Sequence, residues 1–178
     1  MKIVDELLPG VVLVEPKQHT DTRGSFVKTY HAETFAALGI PFTPVEEFFS
    51  TSRAGVVRGM HFQLPPHDHA KLVYCAEGAV LDVLLDLRRD TPTFGQARSV
   101  RLSADNRLLC FMPSGIAHGF LALDEPALMV YKTSVVHSPA NDAGVRWNSF
   151  GFEWPAKQPI VSPRDEALPA FAAFNSPF

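Results

Sequence analysis

From Val11 to Lys132 short apolar, β-branched segments alternate with clusters of Gly, Pro, Asp and Asn, a rhythm that belongs to strands rather than helices. The pattern predicts strands over Gly10–Pro16, Gly24–Tyr30, Val56–Gln63, Lys71–Ala76 and Ala79–Arg88. It continues with Gln96–Leu102, Leu108–Met112, His118–Leu123 and Leu128–Val135. Glu77-Gly78 lies between two of these and reads as a tight hairpin connection, glycine supplying the positive φ such turns need. Helical spacing is confined to His31–Leu38, too short to organise a core. Many short strands must close on themselves or pack as two sheets, because open apolar edges invite aggregation, so the fold class is all-β, a jelly roll or small barrel. Beyond Pro139 the texture turns Pro-, Asn- and Ser-rich around Trp147, Trp154 and several phenylalanines. Aromatic anchors of that kind predict an irregular tail packed over the barrel rather than disorder.

Composition narrows the function. The 178 residues are 46% hydrophobic and 20% charged, which suits one domain spanning 1–178 with a real core. A net charge of -3 gives no general pull toward nucleic acid or an acidic membrane surface. Cys75 and Cys110 lack C-x-x-C spacing and read as free thiols of a reducing compartment. No apolar run has the length of a signal peptide or a membrane span, so a cytoplasmic protein is expected.

The candidate chemistry centres on Arg58-Gly59-Met60-His61-Phe62-Gln63, with Lys71 ten residues past the histidine. Strand alternation puts Arg58 and His61 on different faces unless the backbone bulges, whereas His61 and Gln63 share one. Histidine titrates nearest neutrality and suits proton abstraction from carbon, and a nearby lysine can hold the resulting oxyanion.

Ordered motifs extend this beginning along most of the chain: D-T-R-G-S-F at 21–26, S-T-S-R-A-G-V-V-R-G-M-H-F-Q at 50–63, K-L-V at 71–73, P-S-G-I-A-H-G-F at 113–120, Y-K at 131–132 and S-P-R-D at 162–165. Together they resemble the dTDP-4-dehydrorhamnose 3,5-epimerase family. The resemblance implies a cupin-type jelly roll (double-stranded β-helix) with short peripheral helices, a homodimer, no metal or other cofactor, and epimerisation of a nucleotide-linked 4-keto-6-deoxy sugar. It implies His61 as base, Asp165 as the carboxylate supporting it, Tyr131 as the acid on the opposite face and Lys71 as the cation beside the enolate oxygen. It further implies contacts to the sugar or diphosphate from Arg58, His118 and Arg164, and to the nucleotide from Arg23; strand alternation adds Gln63, on the same face as His61, as a substrate-binding candidate.

Departures from the family pattern fall on substrate-contact positions. Lys28 stands where a glutamate is usual, Glu46 and Phe48 replace a Gln-x-Asn pair, His137 replaces a tyrosine that stacks on the base, and Asp142 approximates a glutamate of the same loop. Phe48 removes a donor and an acceptor and adds apolar bulk. A different nucleotide or keto sugar is one consequence; replacement contacts are the other.

Two readings compete. His67-Asp68-His69 with His118 has the look of a three-histidine metal site of the wider cupin superfamily, serving an isomerase or oxygenase, although the glutamate expected after the second histidine is absent. A catalytically silent sugar-nucleotide binder is the second, and it has no need of an opposed acid and base.

Overall fold

A computed structural model describes residues 1–178 and shows two facing sheets. The strands are β1 (Lys2–Leu8), β2 (Val11–Glu15), β3 (Lys17–Asp21), β4 (Gly24–Lys28), β5 (Glu46–Ser52), β6 (Val57–Gln63), β7 (Lys71–Glu77), β8 (Ala79–Asp86), β9 (Ala97–Ser103), β10 (Leu109–Met112), β11 (Ile116–Ala122), β12 (Ala127–Thr133) and β13 (Asp142–Gly144). Helices are limited to α1 (Ala32–Ala37), α2 (Pro163–Glu166) and a 3₁₀ turn at Phe171–Ala173. One sheet runs β1-β2-β10-β7-β12-β5, the other β13-β6-β11-β8-β9, and β3-β4 form a separate two-stranded ribbon. All the ladders are antiparallel. This is the all-β class that the sequence pattern predicts, in the jelly-roll form with short peripheral helices that the resemblance implies.

Packing follows from alternation along the strands. Val73, Cys75, Val80, Leu84, Leu102, Cys110, Phe120 and Met129 point inward and fill the space between the sheets. The outer face of the six-stranded sheet is covered by Phe35, Ile40 and Phe42 from α1 and the segment after it, which meet Val12, Val14, Leu72 and Phe111. The tail covers the outer face of the other sheet: Phe152, Trp154, Phe171, Phe174 and Phe178 lie against Met60, Phe62, Val83 and Leu85. Aromatic anchoring of the irregular C-terminal segment is thus what the chain beyond Pro139 does.

Two expectations need correction. Glu77-Gly78 is not a hairpin: β7 pairs with β10 and β12 while β8 pairs with β11 and β9, so the chain turns a corner between the sheets there. Gly78 does hold φ +71, but that conformation serves a corner as well as a hairpin. The strands β1, β3, β5 and β13 fall outside the predicted set, and in β3 and β5 the runs Lys-Gln-His-Thr-Asp and Glu-Glu-Phe-Phe-Ser carry little apolar periodicity. Their ladders hold them instead, β1 on β2, β3 on β4 and β5 on β12.

The site depends on an irregularity in β6. His61 sits opposite His118 and Arg58 opposite Phe120, so β6 uses three residues where β11 uses two. This one-residue bulge resets the alternation and lets Arg58 and His61 line the same cavity. Glycines permit the crowding: a Cβ on Gly59, whose φ is +130, would come within 2.5 Å of the Gly119 Cα.

Candidate active site

Between the open ends of the two sheets lies a cavity of about 280 Å³. The five-stranded sheet contributes Arg58, His61 and Gln63 from β6, His118 from β11 and Asp142 from β13. Facing them, the six-stranded sheet supplies Lys71 from β7, Tyr131 and Thr133 from β12, and Glu46, Phe48 and Ser50 from β5. His137 from the loop after β12 and Arg164 from α2 stand at the rim.

His61 is fixed from behind by α2. Ser162 caps that short helix by accepting from the Asp165 N–H at 3.1 Å, which aims the Asp165 carboxylate at β6. Its Oδ1 lies 2.7 Å from His61 Nε2 and its Oδ2 accepts from the Gly59 N–H at 3.1 Å. Burial alone would raise the Asp165 carboxyl, but the His61 hydrogen bond and charge, the Gly59 N–H and Arg164 outweigh it and hold the group below the usual carboxylate range. A carboxylate on Nε2 places the proton of a neutral ring there and leaves Nδ1, which has no partner in the chain, as the lone pair.

Lys71 crosses from the opposite wall to donate to the His61 carbonyl at 3.0 Å. Burial pushes its ammonium down to about 8, against the pull of the Asp142 and Asp82 carboxylates. Tyr131 is likewise buried, which raises its phenol above the ordinary value and keeps it a hydroxyl at neutral pH, while Ser50 Oγ at 3.1 Å and the Arg58 charge work the other way. Phe48 stacks on the Tyr131 ring with centroids 4.8 Å apart and planes 14° from parallel. The position read from sequence as a lost polar contact is therefore an aromatic clamp on the phenol.

Several expected residues have other employment. The Gln63 amide donates to the carbonyls of His67 and Val136 and accepts from the Ser138 N–H, so it braces the two loops beside the cavity and keeps one oxygen lone pair free. Glu46 accepts from the His137 N–H at 2.8 Å and thereby ties two of the departure positions together. Arg58 donates to Ser52 Oγ and the Thr51 carbonyl, and Arg164 donates to Asp142 at 2.7 Å with its other nitrogen 3.4 Å from His61 Nε2. Arg23 and Lys28 do not reach the cavity at all: they lie on the β3-β4 ribbon, where Arg23 is paired only with Asp21. Nor do His67, His69 and His118 converge, since no three His, Cys, Asp or Glu side chains are placed to share a metal ion. His69 instead lines the cavity with both ring nitrogens sealed and unpartnered, its imidazole pushed to about 3, chiefly by burial and then by the charge of Lys71.

Sequence reasoning missed Ser50 and Asp82. Ser50 lies within a matched motif, one small polar residue among several, and nothing in the sequence marks it as the partner of Tyr131. Asp82 carried a visible signal, a lone carboxylate in the apolar run Ala79–Leu85, at a position alternation turns inward; its Oδ1 lies 2.6 Å from His118 Nε2.

Comparison with known proteins points to one family. The model of the dTDP-4-dehydrorhamnose 3,5-epimerase family matches residues 5–173. A curated relative from Salmonella typhimurium, a dTDP-4-dehydrorhamnose 3,5-epimerase, is 41% identical over 173 residues, 95% of this chain and 94% of the relative. The crystal structure of the Bacillus anthracis enzyme of that name, with TDP and PPi bound, superposes with a TM-score of 0.93 at 38% identity, over 95% of this chain and 98% of that one. A dTDP-6-deoxy-D-glucose-3,5-epimerase from Legionella pneumophila in complex with dTDP-4-keto-L-rhamnose gives 0.92 at 32% identity, over 98% and 94%.

The depressed Lys71 ammonium has a measurable consequence. Between pH 8 and pH 10.5 the unfolded chain carries a Lys71 proton that the folded protein lacks, so folding is favoured increasingly as pH rises through that window. Relative to Lys71→Met, the unaltered protein should gain about 2–3 kcal/mol of stability between about pH 7 and about pH 11. Urea unfolding of both proteins at the two pH values reads this directly; a constant difference would contradict it.

Proposed function

The chain belongs to the dTDP-4-dehydrorhamnose 3,5-epimerase family, and from that premise we propose that it inverts carbon 3, carbon 5 or both of a nucleotide-linked 4-keto-6-deoxy sugar, with His61 as base and Tyr131 as acid. The observation that carries the assignment is that these two side chains enter one cavity from opposite sheets. Hydrogens on the carbons flanking the ketone are acidified because the carbanion delocalises into an enolate. His61 Nδ1 removes such a proton while Asp165 steadies the imidazolium that forms. The Lys71 ammonium holds the enolate oxygen, where charge fixed in advance favours the transition state over the ketone. Tyr131 then delivers its proton to the other face of the carbon, and the phenolate left behind is met by Ser50 and the Arg58 charge. One proton has moved from Tyr131 to His61, and exchange with solvent resets both. Arg58, Arg164 and His118 are assigned to the sugar and diphosphate, guanidinium forks suiting phosphate oxygens. A cytoplasmic setting agrees with a nucleotide-sugar substrate and with two free, buried thiols.

The ribbon of β3 and β4 is paired with neither main sheet, and Arg23 and Lys28 lie on it away from their own cavity. Both take part in nucleotide binding if the protein is a homodimer in which each ribbon reaches over the partner's cavity. Phe26, 62% exposed on the same ribbon, gives such an arm an apolar surface to bury.

His61→Ala and Tyr131→Phe should each lower kcat by at least about a hundredfold with the fold intact by circular dichroism, as removal of a positioned acid or base does. Turnover near that of the unaltered protein by both variants would sink the assignment, whereas nucleotide affinity without turnover of any keto sugar by the unaltered protein would favour a silent binder. For the dimer, Arg23→Ala and His61→Ala proteins mixed and refolded together should recover activity that neither has alone, because one site of each mixed dimer is whole. Absence of recovery, with a monomer in sedimentation equilibrium, would refute the shared site.

A further inference from the structure

Asp82 is a carboxylate in a place where the fold itself has no use for one. It lies wholly buried on β8, and Val80 and Leu84, two residues to either side on the same face, belong to the apolar core between the sheets. Only one of its oxygens is used: Oδ1 lies 2.6 Å from His118 Nε2, and Oδ2 has no partner. An ionised group left half-satisfied in such a core is costly, and an aliphatic side chain of similar size would stabilise the sheet better. Its retention points to the histidine it holds.

His118 is the cross-strand neighbour of His61 in the β6-β11 ladder, and both rings line the cavity. The two histidines are held alike, each with Nε2 on a buried carboxylate, Asp165 for one and Asp82 for the other. His118 Nδ1 makes no hydrogen bond within the chain and, unlike the nitrogens of His69, is not sealed off. The Asp82 charge also reaches Lys71 and Tyr131, favouring the ammonium of the one and the neutral hydroxyl of the other.

We propose that Asp82 is a positioning residue of this site: it keeps the His118 proton on Nε2 and so presents Nδ1 to the cavity as the acceptor for a hydroxyl hydrogen of the bound sugar. The assignment rests on the epimerase reading above. With the carboxylate in place the proton is held on Nε2 and the ring orientation is fixed, so that a sugar hydroxyl meets the Nδ1 lone pair. With an amide in its place, the ring is free to take the other tautomer, which turns a donor toward the hydroxyl.

Asp82→Asn tests this, because the volume is kept and the charge is lost. Its kcat/KM should fall at least about tenfold while the unfolding midpoint does not fall, and His118→Asn should behave similarly. The double variant should be no worse than the weaker single one, since the two residues act as a unit. Losses that multiply in the double variant, or wild-type kcat/KM in Asp82→Asn, would overturn the proposal. Nitrogen-15 NMR of the unaltered protein supplies a readout independent of activity and of how the variants fold. A protonated Nε2 with a bare Nδ1 on His118 is expected, and a proton on Nδ1 would overturn the proposal. If the unaltered protein turns over no 4-keto sugar nucleotide, it is the epimerase reading that falls; if it turns one over and the cycle is additive, only the role of Asp82 does.

Discussion

One extra residue in β6 is the constraint on which the site rests. Without the bulge, strand alternation would send either Arg58 or His61 out of the cavity, and the three-against-two register with β11 brings both in. The bulge exists because Gly59 accepts a positive φ and because its missing side chain leaves room for the Gly119 backbone. Gly119 reciprocates, since a Cβ there would lie 2.7 Å from the Arg58 carbonyl. The same distortion turns the Gly59 N–H toward Asp165, so the feature that aims His61 also anchors the carboxylate that holds it. Local backbone geometry, helix capping by Ser162 and the ionisation of Asp165 are links of one chain.

Around this feature the two sheets divide the chemistry. One wall carries His61, the paired His118 and Arg58, with Arg164 beside them on α2; the other carries Lys71, Tyr131 and the Phe48 ring that clamps the phenol. Facing sheets are what give a planar enolate two chemically different sides, and the jelly roll supplies them. The cost is visible in the interior, where Lys71 is buried, Asp82 is half-satisfied and His69 has no partner for either nitrogen. Polar groups held at such expense mark where a fold serves a reaction rather than its own stability.

Much of this was legible in the residues. Apolar alternation located the inner strands, and the motifs around His61, Lys71, His118, Tyr131 and Asp165 named side chains that the fold gathers at one cavity or directly behind it. What escaped had physical causes. Polar strands such as β3 and β5 are held by ladder hydrogen bonds that leave no hydrophobic signature, and Gly78 signals a backbone conformation without saying which strand the chain will pair with next. Gln63 faces the cavity as alternation predicts, but nothing in the sequence shows that three loop backbone groups also bind its amide. Arg23 sits in a matched motif and Lys28 just past it, on a ribbon detached from the cavity, because a motif records residue types without recording where the fold carries them.

The central claim is that His61 and Tyr131 serve opposite faces of one carbon. Single turnover of a dTDP-linked 4-keto-6-deoxy sugar in D₂O, with deuterium and configuration read at each carbon by NMR, separates their roles. Tyr131→Phe should exchange hydrogen for deuterium with retention, since His61 can return a deuteron to the face it deprotonated, and His61→Asn should neither exchange nor invert. Inversion by Tyr131→Phe at the rate of the unaltered protein, or exchange by His61→Asn, would contradict it.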